Sequence, residues 1–181
     1  MIISASMRSN SQSLKVAEYL KNNLQHKQHN AWVCDLHELR MPLFDNEETF
    51  FPGKADLLAQ LADADGFIFV SPEWNGMMSH GLINMLHFVN HEMAHKPVML
   101  CGVSSGRGGA YPVAQMKEIG QKNNHYVISP ENLIVSDVKN VFNTSDLGES
   151  EPDYQIKLRA HYALDVLVEY ARALEHVRTS P

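Results

Sequence analysis

What most limits the fold of this chain is the way short apolar runs take turns with helix-spaced apolar residues along its length. Runs of strand length cover Ile2 to Ala5, Ala31 to Cys34, Gly66 to Val70, Val98 to Val103 and, split around a turn, Tyr126 to Val135. Between them the spacing is helical: Leu14, Ala17, Leu20 and Leu24; then Leu57, Leu58, Leu61 and Ala62; then Leu82, Leu86, Val89 and Met93; then, more weakly, Val113 and Met116. A last helix is expected from about Tyr154 to His176, with the stripe Ile156, Ala160, Ala163, Leu167, Tyr170 and Leu174. Strands that alternate with helices run parallel, because each helix packs back on the sheet through a right-handed crossover. The runs lack a clean alternation, as strands covered on both sides do. The expected fold is α/β: a single three-layer domain over residues 1–181, with a five-stranded parallel sheet and helices on both faces.

Composition narrows the function. Hydrophobic residues at 44% and charged residues at 20% suit a globular chain with a substantial core. No apolar run approaches the roughly 20 residues of a spanning helix, and no basic-then-apolar leader opens the sequence, so a cytoplasmic protein without a membrane partner is expected. A net charge of −6 without a Lys/Arg cluster argues against nucleic acid, while leaving room for a small phosphate-bearing ligand. Cys34 and Cys101 stand far apart within apolar runs and read as reduced, packed thiols.

In an open parallel sheet the ligand sits outside the carboxyl ends of the strands. The loops after strands one, three and four read SASMRSNSQS, SPEWNGMMSHG and SSGRGGAYP. The first leads into a helix N-terminus, where unpaired amides and the helix dipole favour an anion. Hydroxyls at Ser6, Ser9, Ser11 and Ser13 can donate to a phosphate, and Arg8 can add a charge-assisted bond. The same serines can simply cap the helix, with Ser11 or Ser13 as N-cap, and the loop alone does not separate the two readings. Neither GxxxxGKS nor GxGxxG is present. The other two loops are rich in small residues, with Trp74 and Tyr111 as bulky groups, and could build a slot for a flat ring.

One pattern competes. HEMAH at residues 91–95 has the two histidines and glutamate of a zinc site, but Lys96 and Pro97 end the helix and no third ligand follows. His80, Asn84, His87, His91 and His95 lie opposite the Leu82, Leu86, Val89, Met93 stripe, so a polar outer face is expected and no metal. Ile83, Met85 and Phe88 make the same helix broadly apolar, which suggests a subunit contact in a homodimer or homotetramer. The acidic stretches DNEETF and DLGESEPD lack EF-hand spacing and read as solvated loops.

Taken together, the three loops resemble the NADPH-dependent FMN reductase family, the flavodoxin-like group that includes quinone, azo-dye and chromate reductases. The family's Gly-Ser-x-Arg followed by serines is ASMRSNSQS here; its Pro-Glu-Tyr-Asn-Gly with a later Gly-x-Leu-Lys-Asn is PEWNGMMSHGLIN; its Ser-Gly-x-x-Gly-Gly loop is SSGRGGA; and MPLFDNE is similar to the segment after strand two. The resemblance implies a flavodoxin-like fold and FMN as cofactor, with NADPH or NADH as hydride donor and a small-molecule electron acceptor. It implies that Ser6, Arg8, Ser11, Gln12 and Ser13 hold the FMN phosphate. Pro72, Glu73, Trp74, Asn75 and Gly76 would follow the ribityl chain and ring, and Ser105, Gly106, Arg107 and Gly109 would close the ring's other side. No side chain is expected to act as catalytic acid or base, since the flavin carries the chemistry. Two alternatives stand beside this reading: a flavodoxin-like electron carrier or FMN-binding module that does not react with NAD(P)H, and a phosphate-binding regulator without flavin. Ala5 stands for the family's glycine, Trp74 for its tyrosine and Ile83 for its lysine.

Overall fold

The polypeptide pairs β1 (Ile2–Ser4), β2 (Val33–Asp35), β3 (Phe67–Pro72), β4 (Pro97–Val103) and β5 (Val127–Val135) into one sheet in the order β2-β1-β3-β4-β5, every pair parallel. This computed structural model describes residues 1–46, 49–144 and 148–179; Glu47, Glu48 and residues 145–147, in or beside the two acidic stretches, and residues 180–181 lie outside the described residues. The strand order is that of flavodoxin-like doubly wound sheets, with the chain reversing direction of winding between β1 and β3.

Side chains of a strand alternate between faces, so the sheet feeds two cores. On one face Ile3, Phe67, Phe69 and Leu100 pack with Leu57 and Leu61 of α3 (Lys54–Asp63), Leu82 and Met85 of α4 (His80–Phe88), and Val113 and Met116 of α5 (Ala110–Glu118). On the other, Ile2, Ile68, Val70 and Cys101 meet Val16 and Leu20 of α1 (Gln12–His26) and Ala160, Ala163 and Leu164 of α7 (Glu151–Ala173). Leu20, Leu57, Leu61 and Leu82 expose 2% or less, and each such burial contributes about 1.5–3 kcal/mol. The one-turn helices α2 (Leu36–Leu39) and α6 (Gln121–Asn124) and the short α8 (Glu175–Thr179) are too brief to leave a period in the sequence. Among the described residues no helix is long and apolar enough to cross a membrane.

The expected turn inside strand five is a bulge. Val98 faces Ile128 and Leu100 faces Asn132, so β5 advances four residues while β4 advances two. Pro130, without an N–H to donate, falls in this interruption of an edge strand, where such a residue costs least.

The third expected helix is shorter than its apolar period. α4 ends at Phe88 and Val89 is already extended, because the Asn124 side-chain amide donates to the carbonyls of Leu86 (3.3 Å) and Val89. His91 and His95 are therefore off the helix, and His95 has φ +59°. The helical spacing that HExxH chemistry needs does not exist, and among the described residues no group of three or more His, Cys, Asp or Glu could hold a metal. Nor is the polar stripe of α4 uniformly solvated. Asn84 accepts from the Phe44 amide and donates to the Pro42 carbonyl, both at 2.8 Å, and the His87 ring stacks on Phe44 at 5.3 Å, so the 42–44 segment is clamped across this face.

The last helix breaks at Leu174, and its buried line differs from the expected stripe. Ala160, Ala163 and Leu167 are buried as expected, but Tyr170 is 38% exposed, and Asp153 and Lys157 take core positions as a 2.8 Å ion pair.

Candidate functional site

The carboxyl ends of β1, β3 and β4 deliver the three loops to one edge of the sheet. They are tied together there by specific bonds. The Ala5 amide donates to Val70 O at 2.9 Å, extending the pairing of β1 beyond its last residue. Buried Ser79, which caps α4 by accepting from the Gly81 amide at 3.1 Å, donates its hydroxyl to Ala5 O and its own amide to Ser71 Oγ at 2.9 Å. Loop one is thereby fixed to loop two. The third loop lies along the segment after β5: the Asp137 amide donates to Gly106 O at 2.7 Å and Ser136 Oγ donates to Gly108 O at 2.7 Å.

Between the loops is a cavity of about 260 Å³ lined by Ser6, Arg8, Ser9, Asn10, Ser11, Gln12, Ser13, Pro72, Glu73, Trp74, Val103, Ser105 and Val138. At its base the two readings of the serine loop turn out to be compatible. Ser11 is the N-cap of α1 and accepts from the Leu14 amide at 3.0 Å, yet its hydroxyl hydrogen remains free to donate. The amides of Gln12 and Ser13 open the helix and have no partner within it. Ser6 is buried and accepts from the Arg8 amide at 3.2 Å. Ser13 is also buried, and among the described residues its Oγ has no hydrogen-bond partner. An orphaned buried hydroxyl costs about 1–3 kcal/mol, and an anionic oxygen in the cavity would satisfy it. Arg8 is exposed beside it with its guanidinium 4.9 Å from the Trp74 ring. The donor set fits a phosphate.

In the second loop Trp74 and Met77 exchange backbone bonds of 3.0 and 2.9 Å across Asn75 (φ +51°) and Gly76 (φ +73°). Two positive φ values at an Asn-Gly pair make the tight hairpin that this dipeptide favours. The Glu73 amide donates to Val103 O at 2.8 Å, and its carboxylate accepts from the Gly109 amide at 2.5 Å. That carboxylate occupies the positive end of α5, so it joins loop two to loop three.

Of the residues predicted for the site, Ser6, Arg8, Ser11, Gln12, Ser13, Pro72, Glu73, Trp74 and Ser105 share the cavity. Asn75, Gly76, Gly106, Arg107 and Gly109 do not line it: the first two form the hairpin tip, Gly109 is held by Glu73, and Gly106 and Arg107 are exposed on the third loop. Asn10, Val103 and Val138 were not foreseen. Val138 arrives because Lys15 Nζ donates to Val138 O (2.6 Å), Val141 O (2.9 Å) and Asn143 Oδ1 (2.8 Å), a long-range bond set with no local signal. Burial lowers the Lys15 pKa from its ordinary value, against an opposing pull from Asp153. Neither cysteine is a reactive thiolate: burial pushes Cys101 up to about 12, and burial followed by the Asp35 charge pushes Cys34 up to about 11.

Comparison with known proteins decides the family. Residues 1–140 match the NADPH-dependent FMN reductase family. The chain belongs to that family. It is 23% identical over 136 residues to the NAD(P)H-dependent FMN reductase LOT6 of Saccharomyces cerevisiae, covering 65% of this chain and 71% of that protein. Among solved structures it is similar to FerB, a flavoenzyme NAD(P)H:(acceptor) oxidoreductase from Paracoccus denitrificans, with TM-score 0.74, 17% identity and coverage of 95% and 96% of the two chains. A flavodoxin of Streptococcus pneumonia TIGR4 superposes with TM-score 0.56 at 14% identity, covering 93% and 96%. At such identities the two structures speak to the fold alone, and both have the flavodoxin-like fold seen here.

Proposed function

We propose that this FMN reductase family member binds FMN at the three-loop edge and passes electrons from NADPH or NADH to a small acceptor: a quinone, an azo compound, free flavin or a metal oxyanion. The observation that carries the reading is the buried Ser13 hydroxyl, without a hydrogen-bond partner among the described residues, beside the open amides of α1 and the exposed Arg8. When bound, FMN supplies the hydride and electron chemistry. The chain's own part is to hold and shield. Ser6, Ser11, Gln12, Ser13 and Arg8 bind the phosphate; Pro72, Glu73, Trp74 and Ser105 wall the cavity, and Asn75, Gly76, Gly106, Arg107 and Gly109, on the loops beyond it, flank the ring where it extends outward, largely through backbone groups fixed by Glu73 and Ser136.

The test is spectroscopic. Purified protein, reconstituted with FMN and given NADPH without oxygen, is expected to lose its flavin band near about 450 nm. If only dithionite bleaches it, the protein is an electron carrier instead. Arg8→Ala and Ser13→Ala are each expected to weaken FMN binding by about tenfold or more, since a hydrogen bond to the charged phosphate contributes about 1.5–3 kcal/mol. Unchanged affinity in both would return the serines to capping alone.

The reading includes self-association. Leu43 and Phe50 are 80% and 81% exposed, and Ile83 of α4, next to the Asn84 clamp, is 38% exposed. We propose that this apolar face pairs with another copy, giving a homodimer or homotetramer. Light scattering at micromolar concentration should give a multiple of the 20.4 kDa chain mass; the monomer mass would refute the pairing.

A further inference from the structure

We infer that Trp74 is a positioning residue for Arg8, holding its guanidinium at the cavity so that ligands ending in a phosphate are preferred over their dephosphorylated counterparts. The inference rests on the flavin reading above and adds a role that the ring-wall assignment of Trp74 does not contain. Arg8 Cζ lies 4.9 Å from the Trp74 ring centroid, inside the range of a cation–π contact, and both residues line the same cavity from different loops.

Both backbones are fixed independently of that contact. The Trp74 amide and carbonyl are locked by the hairpin bonds to Met77, and the indole has the His80 ring as a further neighbour at 6.1 Å. On the other loop the Arg8 amide is held by Ser6 Oγ, and the preceding carbonyl, that of Met7, meets His37 Nδ1 at 3.0 Å. The long, exposed Arg8 side chain is what remains to be ordered, and among the described residues the indole restrains it.

A cation–π contact restrains a guanidinium without neutralising it. The indole carries no carboxylate to pair with, so the guanidinium keeps its charge and its N–H donors for an anion. A solvated arginine would surrender its rotamer freedom when it closed on a phosphate; here much of that ordering precedes the ligand. Aligning the fork with the cavity therefore raises affinity for the phosphate and does nothing for the ring system. A plain wall acts the other way, supporting the ring whether or not a phosphate is attached.

Apoprotein titrated with FMN and with riboflavin, followed by quenching of flavin fluorescence, separates the two roles. Trp74→Leu is expected to lower the FMN-to-riboflavin affinity ratio about threefold to tenfold, and Trp74→Phe to restore most of it, because a benzene ring retains the negative face. In an Arg8→Ala background, Trp74→Leu should leave the ratio unchanged. Should the leucine variant fail to melt cooperatively, Trp74→Met carries the same comparison. Equal weakening of both flavins, or the same change of ratio with and without Arg8, overturns the positioning role while the flavin reading stands. Wild-type apoprotein that binds neither flavin overturns that reading itself.

Discussion

Replacing Asp153 with alanine is expected to cost about 3–5 kcal/mol of stability, because it leaves a buried ammonium without its carboxylate. Lys157 is 0% exposed, with Nζ 2.8 Å from Asp153 Oδ2. The carboxylate also accepts the amides of Phe142 (2.7 Å) and Glu149 (3.1 Å), so the segment before α7 is latched to its first turn. Urea unfolding should show a lower midpoint at an unchanged slope. The double variant Asp153→Ala, Lys157→Met should recover much of the loss, since an apolar replacement of a buried pair is often neutral, leaving the two amides short by about 1 kcal/mol each. A single-variant loss under about 1 kcal/mol would contradict the latch.

The same pair predicts a pH dependence. Burial raises the Asp153 pKa, but the bonds from Lys157 and the two amides, with the Lys157 charge, outweigh it and hold the carboxyl below its ordinary 3.8. A depressed carboxyl contributes stability above its unfolded-state value and loses it as pH falls through the folded-state value. Acid unfolding should therefore steepen below about pH 4, and Asp153→Ala should lack that component. The consequence reaches the site, because the latched segment follows Val138 and Val141, whose carbonyls hold Lys15 and whose Val138 side forms a cavity wall.

How much of this was readable depends on whether the signal is local. β3 and β4 are buried at every residue, so continuous apolar runs located them within one or two positions. The edge strand β2 lies later than its run suggested, over Val33–Asp35, because its register is set by pairing with β1 and by a 3.2 Å bond from Ser4 Oγ to Asp35, neither visible in hydropathy. α4 stops where Asn124, far along the chain, takes its carbonyls. Asp153 and Lys157 look in sequence like a solvated i, i+4 pair, and only the packing of Tyr19 and Phe142 around them shows otherwise. At the site the loops carried their own chemistry, in serines before a helix and an Asn-Gly hairpin. What they did not carry was Glu73 reaching α5, or Val138 brought in by Lys15.

Gly102→Ala tests the close approach on which the third loop depends. Gly102 is buried in β4, and a Cβ there would lie 1.9 Å from Gly109 O and 3.1 Å from Val113 Cγ2. Backbone cannot yield as a side-chain tip does, so Gly109 must shift. Gly109 is the N-cap of α5, at φ +108°, with its amide on Glu73, and moving it pulls loop three from loop two. Overpacking of this kind costs about 1–3 kcal/mol, and FMN affinity is expected to fall by roughly ten- to a hundredfold as the walls separate. Gly106→Ala is the matched comparison, since a Cβ there meets nothing within 4 Å. Its apoprotein should melt within about 0.5 kcal/mol of wild type, so any loss of FMN affinity would come from the ligand meeting the new methyl group. Equal melting of the two variants would mean that the third loop does not depend on β4 for its position.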